Sequence, residues 1–139
     1  MEQIIFRPRL HRFAYCKDFV AAFAPTARDL VLTNRYLFAP YFNPESFPSR
    51  TIFQEEFGGG EPTDVMVDAI LQQANSQPYE RIFAIGGGTV IDIAKLLAVS
   101  NSEDVDYLYD HKDQLEKRHA LVILPTTCGT GSEVTNISI

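Results

Sequence analysis

The chain has 139 residues, of which 45% are hydrophobic and 22% are charged, with a net charge of −6. This composition is typical of one folded domain with a substantial core and argues against disorder. The 12 Lys and Arg residues are scattered, so the acidic chain is not expected to bind nucleic acid. No apolar run approaches the ~18 residues of a membrane span and no signal peptide is evident, so we expect no membrane partner and a cytoplasmic location.

Predicted strands and helices alternate along the chain. In order, they are a helix at 16–24, strands at 28–34 and 50–54, a helix at 62–75, a strand at 81–85, a helix at 90–100 and a strand at 120–125. The strands at 81–85 and 120–125 are nearly continuous apolar runs, which is typical of central strands covered on both faces. We therefore predict an α/β fold with a Rossmann-like, doubly wound, mainly parallel sheet that binds ligands at the carboxyl ends of its strands.

Four segments need separate comment. In the helix at 62–75, Pro62 suits the start, and the buried stripe is predicted to consist of Val65, Val67, Ala69, Ile70 and Leu71. The segments 10–16 and 107–116 are ambiguous. The alternating apolar residues at 136–139 predict a strand.

Three consecutive glycines, Gly86, Gly87 and Gly88, join the predicted strand at 81–85 to the next helix, with Thr89 near the helix N-terminus. Backbone N–H groups at such a junction face outward, the helix dipole favours an anion, and the missing Cβ atoms let a pyrophosphate come close. The spacing is neither the G-x-G-x-x-G fingerprint nor a Walker loop. The alternative is a tight turn that uses glycine only for positive φ.

A second glycine-containing loop, "LPTTCGTGSEVTN" at 124–136, follows the predicted strand at 120–125. Its hydroxyl groups can donate to phosphate and ribose oxygens, and two such loops after two central strands would face one crevice. The alternative is a polar turn that caps the next helix through Ser132 or Thr130. The candidate cofactor-binding residues in this loop are Thr126, Thr127, Thr130, Ser132 and Asn136.

Together the two loops resemble those of the iron-containing (group III) alcohol dehydrogenase family, whose N-terminal domain carries a GGGSxxDxAK loop and a TTxGTGSE loop. Here the first reads GGGTVIDIAK from Gly86 to Lys95, with Thr89 replacing the usual Ser, and the second reads TTCGTGSE from Thr126 to Glu133. The resemblance extends over essentially the whole chain. The segments "VLTNRYLFAPYF" and "FQEEFGGGEPTD", with "CGTGSEVTN", are similar to the branch that interconverts 4-hydroxybutyrate and succinate semialdehyde with NAD.

The resemblance implies an NAD site with a role for each loop. Gly87, Gly88 and Thr89 would hold the pyrophosphate, with Gly86 beside them, and Thr126, Thr127 and Thr130 would line the nucleotide and nicotinamide side of the cleft. Asp92 is expected to support the first loop through a capping arrangement, the alternative being a surface carboxylate near a helix N-terminus.

Asn34, at the end of "VLTN", stands where dinucleotide folds usually place an acidic residue for the adenosine ribose, and where this family commonly has Asp. Asn34 can hydrogen-bond the ribose but lacks the charge that excludes NADP, and Arg35 beside it carries a charge that attracts phosphate. We therefore expect NAD to be preferred by a narrower margin than with Asp, and Asn34→Asp to widen that margin.

In this family the catalytic metal, iron or sometimes zinc, is held by an Asp and three His in an all-helical C-terminal domain. His11, His111 and His119 have no HxxxH or HxxH spacing, so neither a metal ligand nor a catalytic residue is assigned here. We expect residues 1–139 to be a dinucleotide-binding domain truncated from a two-domain enzyme for a small-molecule substrate, and to be inactive alone. A homodimer is left open. The alternatives are a stand-alone nucleotide-binding or regulatory module and a group III dehydrogenase for another small alcohol.

Overall fold

The computed structural model describes residues 10–59, 61–99, 110, 118–125 and 135–138. Within these ranges the elements are β1 (Leu10–Phe13), α1 (Cys16–Phe23), β2 (Leu30–Thr33), α2 (Arg35–Phe38), β3 (Arg50–Phe53), a 3-10 turn (Gln54–Phe57), α3 (Asp64–Asn75), β4 (Arg81–Gly86), α4 (Gly88–Val99), β5 (Ala120–Pro125) and β6 (Thr135–Ser138). The strands and helices predicted between 16 and 125 are confirmed, with ends shifted by up to two residues.

The strands form one sheet in the order β1-β6-β5-β4-β2-β3. The neighbours β3, β2, β4 and β5 are parallel, whereas β6 runs antiparallel to both β5 and β1. This topology confirms the predicted mainly parallel α/β sheet. The ambiguous segment at 10–16 contributes β1, which pairs with a strand more than a hundred residues away, a partner that no local pattern reveals.

Helices cover both faces of the sheet because successive strand side chains point to opposite sides. In β2, Leu30 and Leu32 face the layer formed by α3 and α4, while Val31 faces the layer that contains α1 and α2. The same alternation divides the side chains of β4 and β5 between the two layers. It explains why β2 and residues 82–86 of β4 are buried throughout. The fold is therefore doubly wound, with one apolar core on each face of the sheet.

Helix α3 shows where the predicted stripe was partly wrong. The side chain of Thr63 accepts a hydrogen bond from the Met66 amide at 3.1 Å and caps the helix, so the helix starts after Pro62 rather than at it. Val65 is 81% exposed, because it lies about 200° around the helix from Val67. The residues that α3 does bury follow helical spacing: Met66, Val67, Ile70, Leu71 and Ala74.

The helices in the described ranges are short. The longest, α3 and α4, have 12 residues each, whereas a helix that crosses a membrane needs about 20 apolar residues. None of these helices is long and apolar enough to cross a membrane.

Candidate cofactor site between β2 and β4

The sheet has a topological switch point between the parallel neighbours β2 and β4. From β2 the chain continues through α2, whose Phe38 packs on one face, whereas from β4 it continues through α4, whose Val90 packs on the other. The two connections leave in opposite directions, so a crevice opens outside the carboxyl ends of the two strands. In open α/β sheets this crevice is where ligands bind.

A cleft of about 310 Å³ lies at this switch point. Thr33, the last residue of β2, is fully buried beneath it and donates a hydrogen bond to the carbonyl oxygen of Ile85 at 2.6 Å, which ties the ends of β2 and β4 together. The cleft is lined by residues that follow three parallel strands: Asn34 and Tyr36 after β2, Gln54, Glu55, Gly58 and Gly59 after β3, and Gly87, Gly88, Thr89 and Val90 after β4.

Gly87 and Gly88 lack side chains for a reason other than backbone strain or crowding. Among the described residues, positive φ is confined to Ala24 and Gly58, so neither glycine adopts the conformation that the tight-turn alternative requires. A Cβ atom built on either glycine would meet no heavy atom within 4 Å. Both positions are exposed, and their missing side chains leave open space in the cleft against the backbone.

Gly86 has a different role from its two neighbours. It is buried, and a Cβ atom there would lie 3.0 Å from Cβ of Val90 and 3.1 and 3.3 Å from the Val90 methyl carbons. Glycine at this position therefore allows the first turn of α4 to pack closely on the end of β4. The structure thus gives Gly86, predicted as part of the cofactor site, a packing role at the back of the junction.

The N-terminus of α4 opens onto the cleft. The carbonyl oxygen of Gly87 accepts a hydrogen bond from the Ile91 amide at 3.0 Å, so the helix begins immediately after Gly87. The amides of Gly88, Thr89 and Val90 therefore belong to the first turn, where N–H groups have no partner within the helix and the dipole attracts negative charge. This end of the cleft is suited to an anion.

The capping arrangement predicted for Asp92 is wrong. Since α4 begins before Thr89, Asp92 falls in the second turn, and the first turn contains no acidic residue. The Asp92 side chain is exposed and does not line the cleft. The interaction of the Asp92 carboxylate with the helix dipole is weak, because that interaction falls off beyond the first turn.

Asn34 lies at the opposite side of the cleft and is only 8% exposed. Its amide nitrogen donates to Oε1 of Gln54 at 3.0 Å and to Oε2 of Glu55 at 3.3 Å. Because an ionised carboxylate only accepts, it is the amide nitrogen of Asn34 that must face Glu55. Within the described part of the chain no group donates to Oδ1 of Asn34, so this oxygen can accept from a ligand hydroxyl.

Among the described lining residues Glu55 is the charged one, and sequence reasoning missed it. Its Oε1 accepts from the backbone amide of Arg35 and its Oε2 from Asn34. The guanidinium of Arg35 lies 4.3 Å above the ring of Phe53 and 3.6 Å from Glu56, and Arg35 is not among the lining residues. The predicted attraction of a phosphate by Arg35 therefore has no support, whereas a carboxylate does reach the cleft.

The other predicted cofactor-binding residues belong to the second loop, at 124–136. Thr126, Thr127, Thr130 and Ser132 lie outside the described residues. Asn136 lies in β6, in register with Arg12 of β1.

The described residues include no group of three or more His, Cys, Asp or Glu side chains placed to hold a metal ion. His119 instead stacks on Tyr79 with ring centroids 4.1 Å apart, and burial lowers its pKa. His11 packs against the rings of Phe13 and Phe23. Both histidines contact aromatic rings, as expected of packing residues.

The sequence of the chain is similar to those of known dehydrogenases. The chain is 40% identical over all 139 residues to a 4-hydroxybutyrate dehydrogenase of Clostridium kluyveri, of which it covers 38%. It is 37% identical over 82 residues to a probable alcohol dehydrogenase of Salmonella typhimurium, a match that covers 58% of this chain and 21% of that protein. The chain thus spans less than two fifths of the length of these relatives.

The fold is also similar to that of solved alcohol dehydrogenase structures. An iron-containing alcohol dehydrogenase from Thermotoga maritima superposes with a TM-score of 0.58 at 22% identity, over 85% of this chain and 35% of that one. Residues 43–139, which include the ends of β4 and β5 and the glycine junction, match the sequence profile of the iron-containing alcohol dehydrogenases. The chain belongs to the iron-containing alcohol dehydrogenase family.

Proposed function

We propose that this chain is the dinucleotide-binding part of an NAD-dependent, metal-dependent alcohol dehydrogenase. The observation that carries the proposal is the glycine junction: Gly87 and Gly88 have ordinary backbone angles and unobstructed Cβ positions, yet face a cleft at the switch point. Neither chain strain nor chain packing accounts for these two glycines. Close approach of a ligand to the backbone does.

The cleft offers hydrogen-bonding groups that suit both the pyrophosphate and the ribose of an adenosine diphosphate group. The first-turn amides of α4 offer donors for the pyrophosphate, and Gly87 and Gly88 leave the space that it would fill. Asn34 and Glu55 offer acceptors for ribose hydroxyl groups. Such a cofactor would supply a hydride acceptor in its nicotinamide, and these residues would bind and orient its adenosine diphosphate group.

The metal of the family is not assigned to any residue of this chain. The described residues hold no suitable ligand group, so they do not fit an iron or zinc site. The contribution that we propose for the described residues is cofactor binding and orientation.

Titration with NADH tests cofactor binding directly. In Gly88→Val a branched side chain enters the space proposed for the pyrophosphate, so we expect NADH affinity to fall by at least about tenfold with little change in melting temperature. Ala21→Val is the control, because it also introduces a valine, at an exposed position of α1 on the opposite layer. Equal NADH affinity in the native chain and in Gly88→Val would show that the junction holds no phosphate.

For the substrate we propose 4-hydroxybutyrate, oxidised to succinate semialdehyde. The proposal is supported by the 40% identity to the Clostridium kluyveri enzyme, which extends over the entire chain. The match to a probable alcohol dehydrogenase of Salmonella typhimurium favours a second candidate, a simple alcohol without a carboxylate.

The two substrates are distinguished by NADH formation with the whole protein that carries this chain, supplied with iron or zinc. We expect a higher kcat/KM for 4-hydroxybutyrate than for 1-butanol, which has the same number of carbon atoms and lacks the carboxylate. A higher value for 1-butanol would favour the second candidate, and loss of turnover with a chelator would support the metal requirement.

A further inference from the structure

We propose that Glu55 is the residue that selects NAD over NADP, by taking the adenosine ribose hydroxyls and repelling a 2′-phosphate. This inference rests on the proposed cofactor function. In dinucleotide folds the acidic residue for the ribose usually ends the second strand, but here that position holds the neutral Asn34. The charge is supplied instead from the end of the neighbouring strand.

The register of the sheet brings Glu55 to this place. β2 and β3 are parallel with Thr33 opposite Phe53, so the residues that follow the two strands, Asn34 and Gln54, lie side by side. Their hydrogen bond of 3.0 Å shows the contact. Glu55 comes next in the 3-10 turn, and its carboxylate reaches back over the end of β2 to Asn34 and the Arg35 amide.

The two hydrogen bonds orient the Glu55 carboxylate and leave some of its acceptor sites unused. Each oxygen of Glu55 accepts one bond from the chain, and a carboxylate has about four acceptor sites, so each oxygen can accept one more. The side chain is exposed toward the cleft, where the two remaining sites can take two neighbouring hydroxyl groups. A phosphate in place of one hydroxyl would meet a like charge.

No opposing charge at the cleft offsets Glu55 in the described part of the chain. The other lining residues there are neutral, and the nearby Arg35 guanidinium is held over Phe53 and against Glu56. The lining therefore divides by chemistry: backbone donors at the α4 end for the pyrophosphate, and the Asn34 and Glu55 acceptors for a ribose with free hydroxyls.

Dissociation constants for NADH and NADPH, measured at one low salt concentration, test the proposal. We expect the native chain to prefer NADH, and Glu55→Gln to reduce the NADH-to-NADPH preference by about tenfold, mainly through tighter NADPH binding. Glu61→Gln is the matched control. It removes the same charge from an exposed side chain outside the cleft and should change the preference by no more than about twofold.

The outcomes separate this inference from the proposed function. If the native chain binds neither nucleotide, the cofactor proposal itself fails. If it binds NADH but Glu55→Gln leaves the preference unchanged, or if Glu61→Gln changes it as much, Glu55 is not the selecting residue. Should Glu55→Gln fold poorly, a salt series on the native chain decides: screening must narrow the NADH preference, and a preference independent of salt overturns the proposal.

Discussion

Asp29 and Arg81 form a two-point ion pair at the amino ends of β2 and β4. Nη2 of Arg81 lies 2.8 Å from Oδ2 of Asp29, and Nε lies 3.1 Å from Oδ1. Asp29 is 1% exposed, and the same guanidinium donates to the carbonyl oxygens of Phe23 and Ala24. The pair therefore joins α1 and the two strands whose opposite ends form the cleft.

We expect Asp29→Asn to lower the free energy of unfolding by about 2–4 kcal/mol, because it leaves the Arg81 guanidinium without its carboxylate. Glu80→Gln is the control. It removes one member of the exposed pair between Arg28 and Glu80, at 3.3 Å, and should change stability by less than about 0.5 kcal/mol. Urea unfolding of both variants measures the difference, and similar losses would contradict the special role of the buried pair.

The same pair predicts a pH dependence. Burial alone would raise the pKa of Asp29, but hydrogen bonds from Arg81 and from the Thr26 amide, together with the Arg81 charge, lower it below 3.8. A carboxyl group whose pKa is lower in the folded state stabilises the fold above its unfolded pKa, and this contribution is lost as pH falls through the folded value. The stability difference between the native chain and Asp29→Asn should therefore be full at neutral pH and shrink as the pH falls below 3.8 and through the lower folded value. A difference that is constant with pH would contradict this assignment.

Glu55 changes what is expected of Asn34→Asp. From the sequence, this substitution should widen the preference for NAD. In the structure it replaces an amide nitrogen that donates to Gln54 and Glu55 with an oxygen that faces both acceptors. We expect a loss of about 1–3 kcal/mol in stability and weaker NADH binding at neutral pH, since two carboxylates then share one position.

A compensating variant tests that explanation. In Asn34→Asp combined with Glu55→Gln, the new amide can donate to the new carboxylate, so the pair has one charge again with the roles exchanged. We expect the double variant to recover most of the lost stability and to bind NADH better than Asn34→Asp alone. Additive losses in thermal melts and NADH titrations would show that the two side chains do not interact.

The N-cap of α3 offers a simpler stability test. The hydroxyl of Thr63 accepts the Met66 amide at 3.1 Å, so Thr63→Ala leaves a first-turn N–H without its partner. We expect a loss of about 1 kcal/mol in unfolding free energy, and a much smaller loss in Thr63→Ser, which keeps the hydroxyl. Equal losses in the two variants would indicate that the methyl group of Thr63, rather than its hydrogen bond, stabilises the helix.

Much of the fold could be predicted because its strands and helices carry local signals. Burial by both layers leaves continuous apolar runs in β4 and β5. Burial of one side of α3 leaves apolar residues at helical spacing. The antiparallel pairing of β1 with β6 could not be predicted, since it joins Leu10 to Ser138 through backbone groups that carry no side-chain pattern. The 3-10 turn at Gln54–Phe57 is likewise too short to have a period.

The part of the candidate site that lies in one segment of the sequence could be predicted. The part that forms where two segments meet could not. The glycine junction stands in one stretch, so its anion-binding character could be inferred directly. Glu55 joins the cleft only because β3 is the neighbour of β2, and strand order is a tertiary property. The signal was "FQEE" directly after a predicted strand, but nothing local distinguishes Glu55 from Glu56 as the residue facing Asn34.

Gly86 and Gly88 should respond oppositely to the same substitution. In Gly86→Ala the new methyl group would lie 3.0 Å from Cβ of Val90, so α4 must shift, and we expect a loss of about 1–3 kcal/mol in unfolding free energy. In Gly88→Ala the methyl group meets no chain atom and the residue is helical, so stability should be unchanged or rise by up to about 1 kcal/mol.

Val90→Ala removes the methyl groups that oppose Gly86→Ala, so the double variant should be more stable than the sum of the single losses predicts. Urea unfolding of the four variants measures this coupling, and strict additivity would mean that Gly86 is not required for the contact between α4 and β4.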